Sequence, residues 1–199
     1  MSHFRSFLAF SIATLLGGCA VPMPHVLPIV IVPTQTPARY AESLLNKNVA
    51  YVLSESDRSK EVWDYMSMLN HVGYFPNRDL EKGIRDALRA VYADVYVIRS
   101  TKDTNAIKSK NISYIFIPEI STNSSASFSG PTLPTKFNIE VSFNVTDADG
   151  ELVSRIQAKG TGAAEVSEIG RDWGLAGQRA ANNFSENLRK AVSADQKLR

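Results

Sequence analysis

The sequence predicts an α+β domain, with a mixed, mainly antiparallel sheet and two main helices packed on one face of it. Residues 137–145 alternate apolar and polar side chains, the pattern of a half-buried antiparallel strand. Residues 77–92 and 168–199 instead repeat apolar side chains at helical spacing. The chain is 44% hydrophobic and 21% charged, which is typical of a globular domain.

The first predicted elements are two strand-like runs that flank a polar turn. Residues 48–56 contain Val49, Tyr51 and Leu53 in alternation, and residues 60–68 follow the turn. This arrangement predicts a β-hairpin. Residues 71–76 are predicted to be a loop.

The next element is the clearest amphipathic helix, over residues 77–92. Asn77 is the predicted N-cap, and Asp79 and Glu81 suit the positive first turn. Its apolar stripe would face the core, and it consists of Leu80, Ile84, Ala87, Leu88 and Val91.

Two apolar runs after this helix predict strands. Residues 93–100 follow the helix directly and resemble a strand buried on both faces. A short helical or turn segment leads to residues 112–120, predicted as a second buried strand that ends at Pro118.

The C-terminal third predicts a hairpin followed by the second main helix. The hairpin turns at "DADG", where Gly150 is free to adopt a positive φ. One face of its first strand is apolar, with Phe137, Ile139, Val141, Phe143 and Val145. The helix over residues 168–199 carries the stripe Ala176, Ala180, Phe184, Leu188 and Val192.

The N-terminus has the composition of a secretory signal peptide, predicted over residues 1–18. Arg5 is followed by a short uncharged apolar run, too short to cross a bilayer. The run ends at Cys19, the sole cysteine of the chain. A lone cysteine is also commonly a small buried hydrophobe, which is the alternative interpretation.

Leu16, Gly17, Gly18 and Cys19 resemble the lipobox of bacterial lipoproteins. The resemblance implies cleavage before Cys19, a diacylglycerol on its thiol and an acyl chain on its new amine; no other cofactor is expected. It also implies an outer-membrane location facing the periplasm, because residue 20 is Ala. In enterobacterial lipoproteins an Asp at that position favours inner-membrane retention.

Residues 19–38 are predicted to form a tether and residues 39–199 a single periplasmic domain. The tether is rich in proline and therefore extended. Its apolar run "VLPIVIV", residues 26–32, could instead dock on the domain as an edge strand, where proline is tolerated.

The sequence offers little for catalysis or metal binding. His3 lies in the signal peptide, His25 in the tether and His71 in a predicted loop, so no pair has metal-ligand spacing. Asp147, Asp149 and Gly150 resemble the start of a calcium-binding loop, but the full D-x-D-x-D-G spacing and its distal Glu are missing. We therefore expect no catalytic residue and no metal, and the net charge of +2 gives no indication of nucleic-acid binding.

Two features could serve binding. The polar loop 121–135 carries an isolated aromatic, Phe128, which could contact a partner, a glycan or a lipid. A flexible connector with one partly buried aromatic is the alternative interpretation. Trp173 could be a stacking platform, although packing against the sheet, as expected for Trp63, explains it more simply.

The layout resembles small outer-membrane lipoproteins of Gram-negative bacteria, of the YajG-like and ABC-transport-auxiliary kinds. The elements that carry the resemblance are "LLGGC", the proline-rich tether, "FPNRDLEKGIRDALRAVYADVYVI", "VSFNVTDADGELV" and the C-terminal helix. It implies a non-catalytic, lipid-anchored accessory that contacts another envelope protein. The alternative is a module that binds a lipid or cell-wall glycan; an enzyme is a distant third.

Overall fold

The computed structural model describes residues 44–67, 70–125, 136–170, 172 and 174–199. The strands are β1 (Leu45–Val52), β2 (Val62–Ser67), β3 (Asn70–Tyr74), β4 (Tyr92–Ile98), β5 (Ile112–Ser125), β6 (Lys136–Thr146) and β7 (Leu152–Ala163). The helices are α1 (Glu55–Arg58), α2 (Pro76–Asp79), α3 (Glu81–Arg89), α4 (Thr104–Ser109), α5 (Val166–Ile169) and α6 (Leu175–Ala194), and a 3-10 turn covers Gln196–Leu198.

The main sheet is mixed and has the strand order β4-β1-β5-β6-β7. β1 runs parallel to both β4 and β5, whereas β5, β6 and β7 form a long antiparallel meander. A second sheet consists of β2 and β3. The predicted α+β class with a mixed, mainly antiparallel sheet is confirmed.

The first predicted hairpin is wrong. β1 pairs with β4 and β5, and β2 pairs with β3, which includes residues predicted to be loop. The reason lies in the burial of β1, where Val49, Ala50 and Tyr51 are all fully buried. Burial on both faces is typical of an inner strand of a parallel arrangement, which has a neighbouring strand on each side. In an isolated hairpin each strand has only one neighbour.

The main core lies between one face of the sheet and helices α3 and α6. Every residue of the two predicted apolar stripes is buried there. The predicted cap is wrong: Phe75 occupies the cap position and Pro76 opens α2. The Phe75 N–H donates to the buried carboxylate of Asp79 at 3.2 Å.

The C-terminal helix also starts later than predicted. The short helix α5 precedes it, and α6 begins only at Leu175. After α6, the 3-10 turn buries Leu198 completely, and the Tyr92 hydroxyl donates to the Leu198 carbonyl. The 3-10 turn is therefore packed against the core through Leu198.

A smaller apolar cluster covers part of the opposite face of the sheet. Ile107 of α4 packs there with Ala50, Ile98, Ile112 and Ile115. This helix covers the β4-β1-β5 half of the sheet. The β6 and β7 side chains on that face are largely exposed.

The two predicted buried strands differ from the prediction. β4 lies at the sheet edge and exposes Ala93, Asp94 and Val97. β5 continues through Pro118 to Ser125. Pro118 is tolerated because it lies beyond Phe116, the last β5 residue that pairs with β1, so that side of the strand has no ladder partner to lose.

Candidate functional site

Most residues that the sequence singles out lie outside the described part of the chain. This holds for Cys19 and the rest of the lipobox, Leu16, Gly17 and Gly18, and for the loop residue Phe128. Trp173, His3 and His25 are outside it as well. Their predicted roles therefore stay predictions.

The candidate site is the polar face, which we define as the surface of β5, β6 and β7 opposite α6. It follows from the period of two along the strands, because every second residue points away from the helix layer. The hairpin register places its members beside one another. They are Glu119, Ser121, Asn123, Asn138, Glu140, Ser142, Asn144, Arg155, Gln157, Lys159 and Thr161.

A shallow depression of about 280 Å³ lies at one end of this face. Its rim consists of Ser121, Asn123, Asn138, Lys159 and Thr161, together with Glu140. Hydroxyls, amides and one ion pair can both donate and accept hydrogen bonds. These groups could form hydrogen bonds with a polar ligand, and Thr122, Ile139 and Gly160 complete the lining.

Glu140 is the acidic residue of the depression and contacts two neighbouring polar side chains. Its Oε1 accepts a hydrogen bond from Gln157 Nε2 at 2.6 Å and lies 3.1 Å from Lys159 Nζ. Lys159 and Glu140 are directly opposite each other on neighbouring strands. Since both side chains are solvent-exposed, the pair adds little stability and remains available to exchange partners.

The helix α6 supports the face from below by very close packing on β7. A Cβ at Gly160 would overlap the carbonyl oxygen of Ala180, and one at Gly162 would overlap that of Ala176. Only glycine permits this approach of helix backbone to strand backbone. The sheet under the depression is therefore rigidly held.

Side chains of α6 also cover the outer edge of β7. Asn187 Nδ2 donates to the Lys159 carbonyl at 2.9 Å, and the Thr161 N–H donates to Asn183 Oδ1 at 3.1 Å. Arg179 Nη1 donates to the Ala163 carbonyl at 2.7 Å. These contacts satisfy three backbone groups in the C-terminal half of β7 that an edge strand would otherwise leave open.

Arg179 also binds a side chain of α5. Its guanidinium forms two hydrogen bonds with the carboxylate of Glu168, at 2.8 and 3.0 Å. The Glu165 N–H donates to the same carboxylate at 2.9 Å. The Arg179 hydrogen bond, with the Glu165 N–H second, lowers the pKa of Glu168 from 4.5 to about 2.

Asp64 of β2 joins the β2–β3 ribbon to β5 of the main sheet. Its Oδ2 accepts hydrogen bonds from the Tyr74 hydroxyl at 2.9 Å and from the Ser124 N–H at 2.8 Å. The Ser124 hydroxyl donates to it at 2.5 Å, and the Tyr74 and Thr122 hydroxyls are 2.9 Å apart. Burial raises the pKa of Tyr74, so its phenol stays protonated as a donor.

Three weaker sequence candidates have structural explanations. Asp147 Oδ1 accepts from the N–H groups of Asp149 and Glu151, and Gly150 has a φ of 93°, so "DADG" is a hairpin turn. Trp63 lies across Gly73 in the β2–β3 ribbon, not on the main sheet, and is 39% exposed. His71 belongs to β3 rather than to a loop.

Within the described residues, no group of three or more His, Cys, Asp or Glu side chains is placed to hold a metal ion. The helices of those residues also include none with the length and apolarity needed to cross a membrane.

Sequence reasoning missed the polar face as a unit. The alternation in β6 already placed Asn138, Glu140 and Ser142 on one face. Their neighbours Ser121 and Lys159 come from strands whose register the sequence does not reveal. Asn183, to which the sequence pattern assigns no role, accepts a hydrogen bond from the β7 edge at Thr161.

No protein-family model and no curated protein matches the chain. Among solved structures, it is similar to the PelC dodecamer from Paraburkholderia phytofirmans, with 15% identity, a TM-score of 0.43 and coverage of 79% of this chain and 94% of that one. It is also similar to a minor lipoprotein from Acinetobacter baumannii, with 11% identity, a TM-score of 0.42 and coverage of 76% and 95%.

A third similar structure is protein XCC0632 from Xanthomonas campestris, of family DUF330, with 12% identity, a TM-score of 0.38 and coverage of 83% and 88%. At identities and TM-scores this low, no activity or partner is carried over from these proteins.

Proposed function

We propose that this protein is a lipid-anchored accessory of the bacterial cell envelope that acts by contact with another envelope protein and catalyses no reaction. Diacylglycerol on the Cys19 thiol and an acyl chain on its amine would hold it on the outer membrane, facing the periplasm. The support for the anchor is the charged start, short apolar run and lipobox of residues 5–19. Two or three acyl chains on one residue bind a bilayer durably.

The observation that supports contact with a partner is the polar face itself. It is largely exposed and closely backed by α6, and it runs up to Ser125 and Lys136, the residues that border the predicted loop carrying Phe128. A rigid surface loses little conformational entropy on binding. Confinement at a membrane raises the effective concentration of both partners, so that weak polar contacts suffice.

A glycan of the cell wall is the second candidate partner, and one observation favours it. The depression around Glu140 is lined by hydroxyl, amide and charged groups, which match the hydroxyl groups of a sugar.

The test is photo-crosslinking in intact cells from positions on the polar face. A photoreactive residue at Asn138 or Ser142, and another at Phe128, should give one discrete protein adduct that is identified by mass spectrometry. Arg89, exposed on α3, is the matched control and should not give that adduct. Adducts with cell-wall glycan instead would support the second candidate, and equal labelling from Arg89 would contradict both.

A further inference from the structure

The two outer edges of the main sheet differ. The edge of β7 is covered from Lys159 to Ala163 by the side chains of Arg179, Asn183 and Asn187 from α6. β4 forms the other edge, with β1 on one side and no further strand on the other among the described residues. An open edge presents backbone N–H and C=O groups that can pair with another strand.

The sequence of β4 is also typical of a strand whose outer edge is paired with another strand. Its sequence is YADVYVI, in which Asp94 is the only charged residue, and it contains neither the lysine nor the proline that commonly protect edges. Val97 is 38% exposed although it is β-branched and apolar. An apolar, unprotected edge of this kind favours the addition of a strand.

The tether contains a segment suited to this position. Residues 26–32, VLPIVIV, are uncharged and rich in β-branched side chains, which favour strands. Pro28 has no backbone N–H to donate to a ladder, which is tolerated on the side of an edge strand that has no partner. The composition thus specifies an outermost strand.

The chain enters the fold beside the open edge. Leu45, the first residue of β1, pairs with Tyr92, the first residue of β4, and its N–H donates to the Val91 carbonyl at 2.8 Å. A strand outside β4 would lie about 10 Å from β1, or two strand spacings. Residues 33–44 can span about 40 Å, so the connection is easily made.

We propose that residues 26–32 add to the outer edge of β4 as a sixth, antiparallel strand. The antiparallel direction gives the shorter connection, because it brings Val32 to the Tyr92 end of β4. Attachment to the same chain gives the segment an effective concentration in the millimolar range, which favours it over a second copy of the protein. If Cys19 is lipidated as proposed above, only residues 20–25 then separate the anchor from the folded body, a reach of about 20 Å.

Engineered disulfides test the docking in residues 19–199 carrying Cys19→Ser, which have no other cysteine. Val97→Cys combined with Leu27→Cys or Ile29→Cys should give a disulfide within one chain, seen as loss of free thiols without dimers on a non-reducing gel. The matched control combines Leu152→Cys, exposed near the β7 turn, with Leu27→Cys and should keep its thiols free. Dimers linked through Val97→Cys, or yields no higher than the control, would overturn the proposal.

Hydrogen exchange supplies a second, independent measurement. The double variant Ile29→Asp, Ile31→Asp should expose the outward β4 amides and speed their exchange on the order of tenfold, while β7 amides stay unchanged. Equal β4 exchange in the parent and the variant would refute docking. Both experiments use unlipidated protein, so their failure would leave the proposed lipid anchor intact, and failure of the anchor would leave the docking result intact.

Discussion

At the scale of single residues, Asp64 joins the β2–β3 ribbon to the main sheet. One carboxylate oxygen accepts three hydrogen bonds, from Tyr74 and from the N–H and hydroxyl of Ser124. Removing an acceptor leaves its donors unsatisfied in a partly buried site, which costs about 1–3 kcal/mol.

We expect Asp64→Ala to lower the free energy of unfolding by about 1–3 kcal/mol, measured by urea denaturation. Asp64→Asn is the matched control, because its side-chain oxygen can still accept from Ser124 and the loss should be smaller. Equal losses in the two variants would show that the acceptor role is not what matters.

At the scale of elements, Glu168 and Arg179 tie α5 to α6 and to β7. Since the folded-state pKa of Glu168 lies near 2, below the usual 4.5, its contribution to stability is present above pH 4.5 and is lost as the pH falls toward 2. Both side chains are partly exposed to solvent, which screens the ion pair, so the effect is small.

We therefore expect the stability difference between the parent and Glu168→Gln to shrink as the pH is lowered from about 5 to about 2, as followed by thermal unfolding at each pH. Glu119→Gln, an exposed glutamate on β5, is the control. A difference that grows toward low pH would contradict the assignment.

The C-terminal turn is the second element with a measurable contribution. Leu198 is completely buried, so Leu198→Ala should lower the free energy of unfolding by about 2–5 kcal/mol in urea denaturation. Leu152→Ala should change it by less than about 0.5 kcal/mol, because that side chain is 52% exposed. A similar loss in both variants would argue against burial as the cause.

At the scale of the whole molecule, the proposed anchor determines where the domain acts. Cys19→Ala should abolish palmitate labelling and membrane retention, because no other thiol can carry the diacylglycerol. Ala20→Asp should keep the label but move the protein to the inner-membrane fraction of a sucrose gradient. Persistence of Cys19→Ala in the membrane fraction would contradict the anchor.

The sequence predicts those parts of the fold that depend on local periodicity. The alternation of apolar and polar residues in β6 and the apolar stripes of α3 and α6 each predict which face is buried, without reference to any other segment. The partners of β1 could not be found in this way, because a short apolar run looks the same whichever strand lies beside it. The pairing of Glu140 with Lys159, and hence the polar face, likewise depends on a register between separate strands.

The burial of Leu198 has a consequence for proteolysis. Its side chain is completely buried, and the Tyr92 hydroxyl donates to its carbonyl. A protease can therefore cleave the 3-10 turn only after that turn has separated from the sheet. The cleavage rate at this site reports the local opening of the turn.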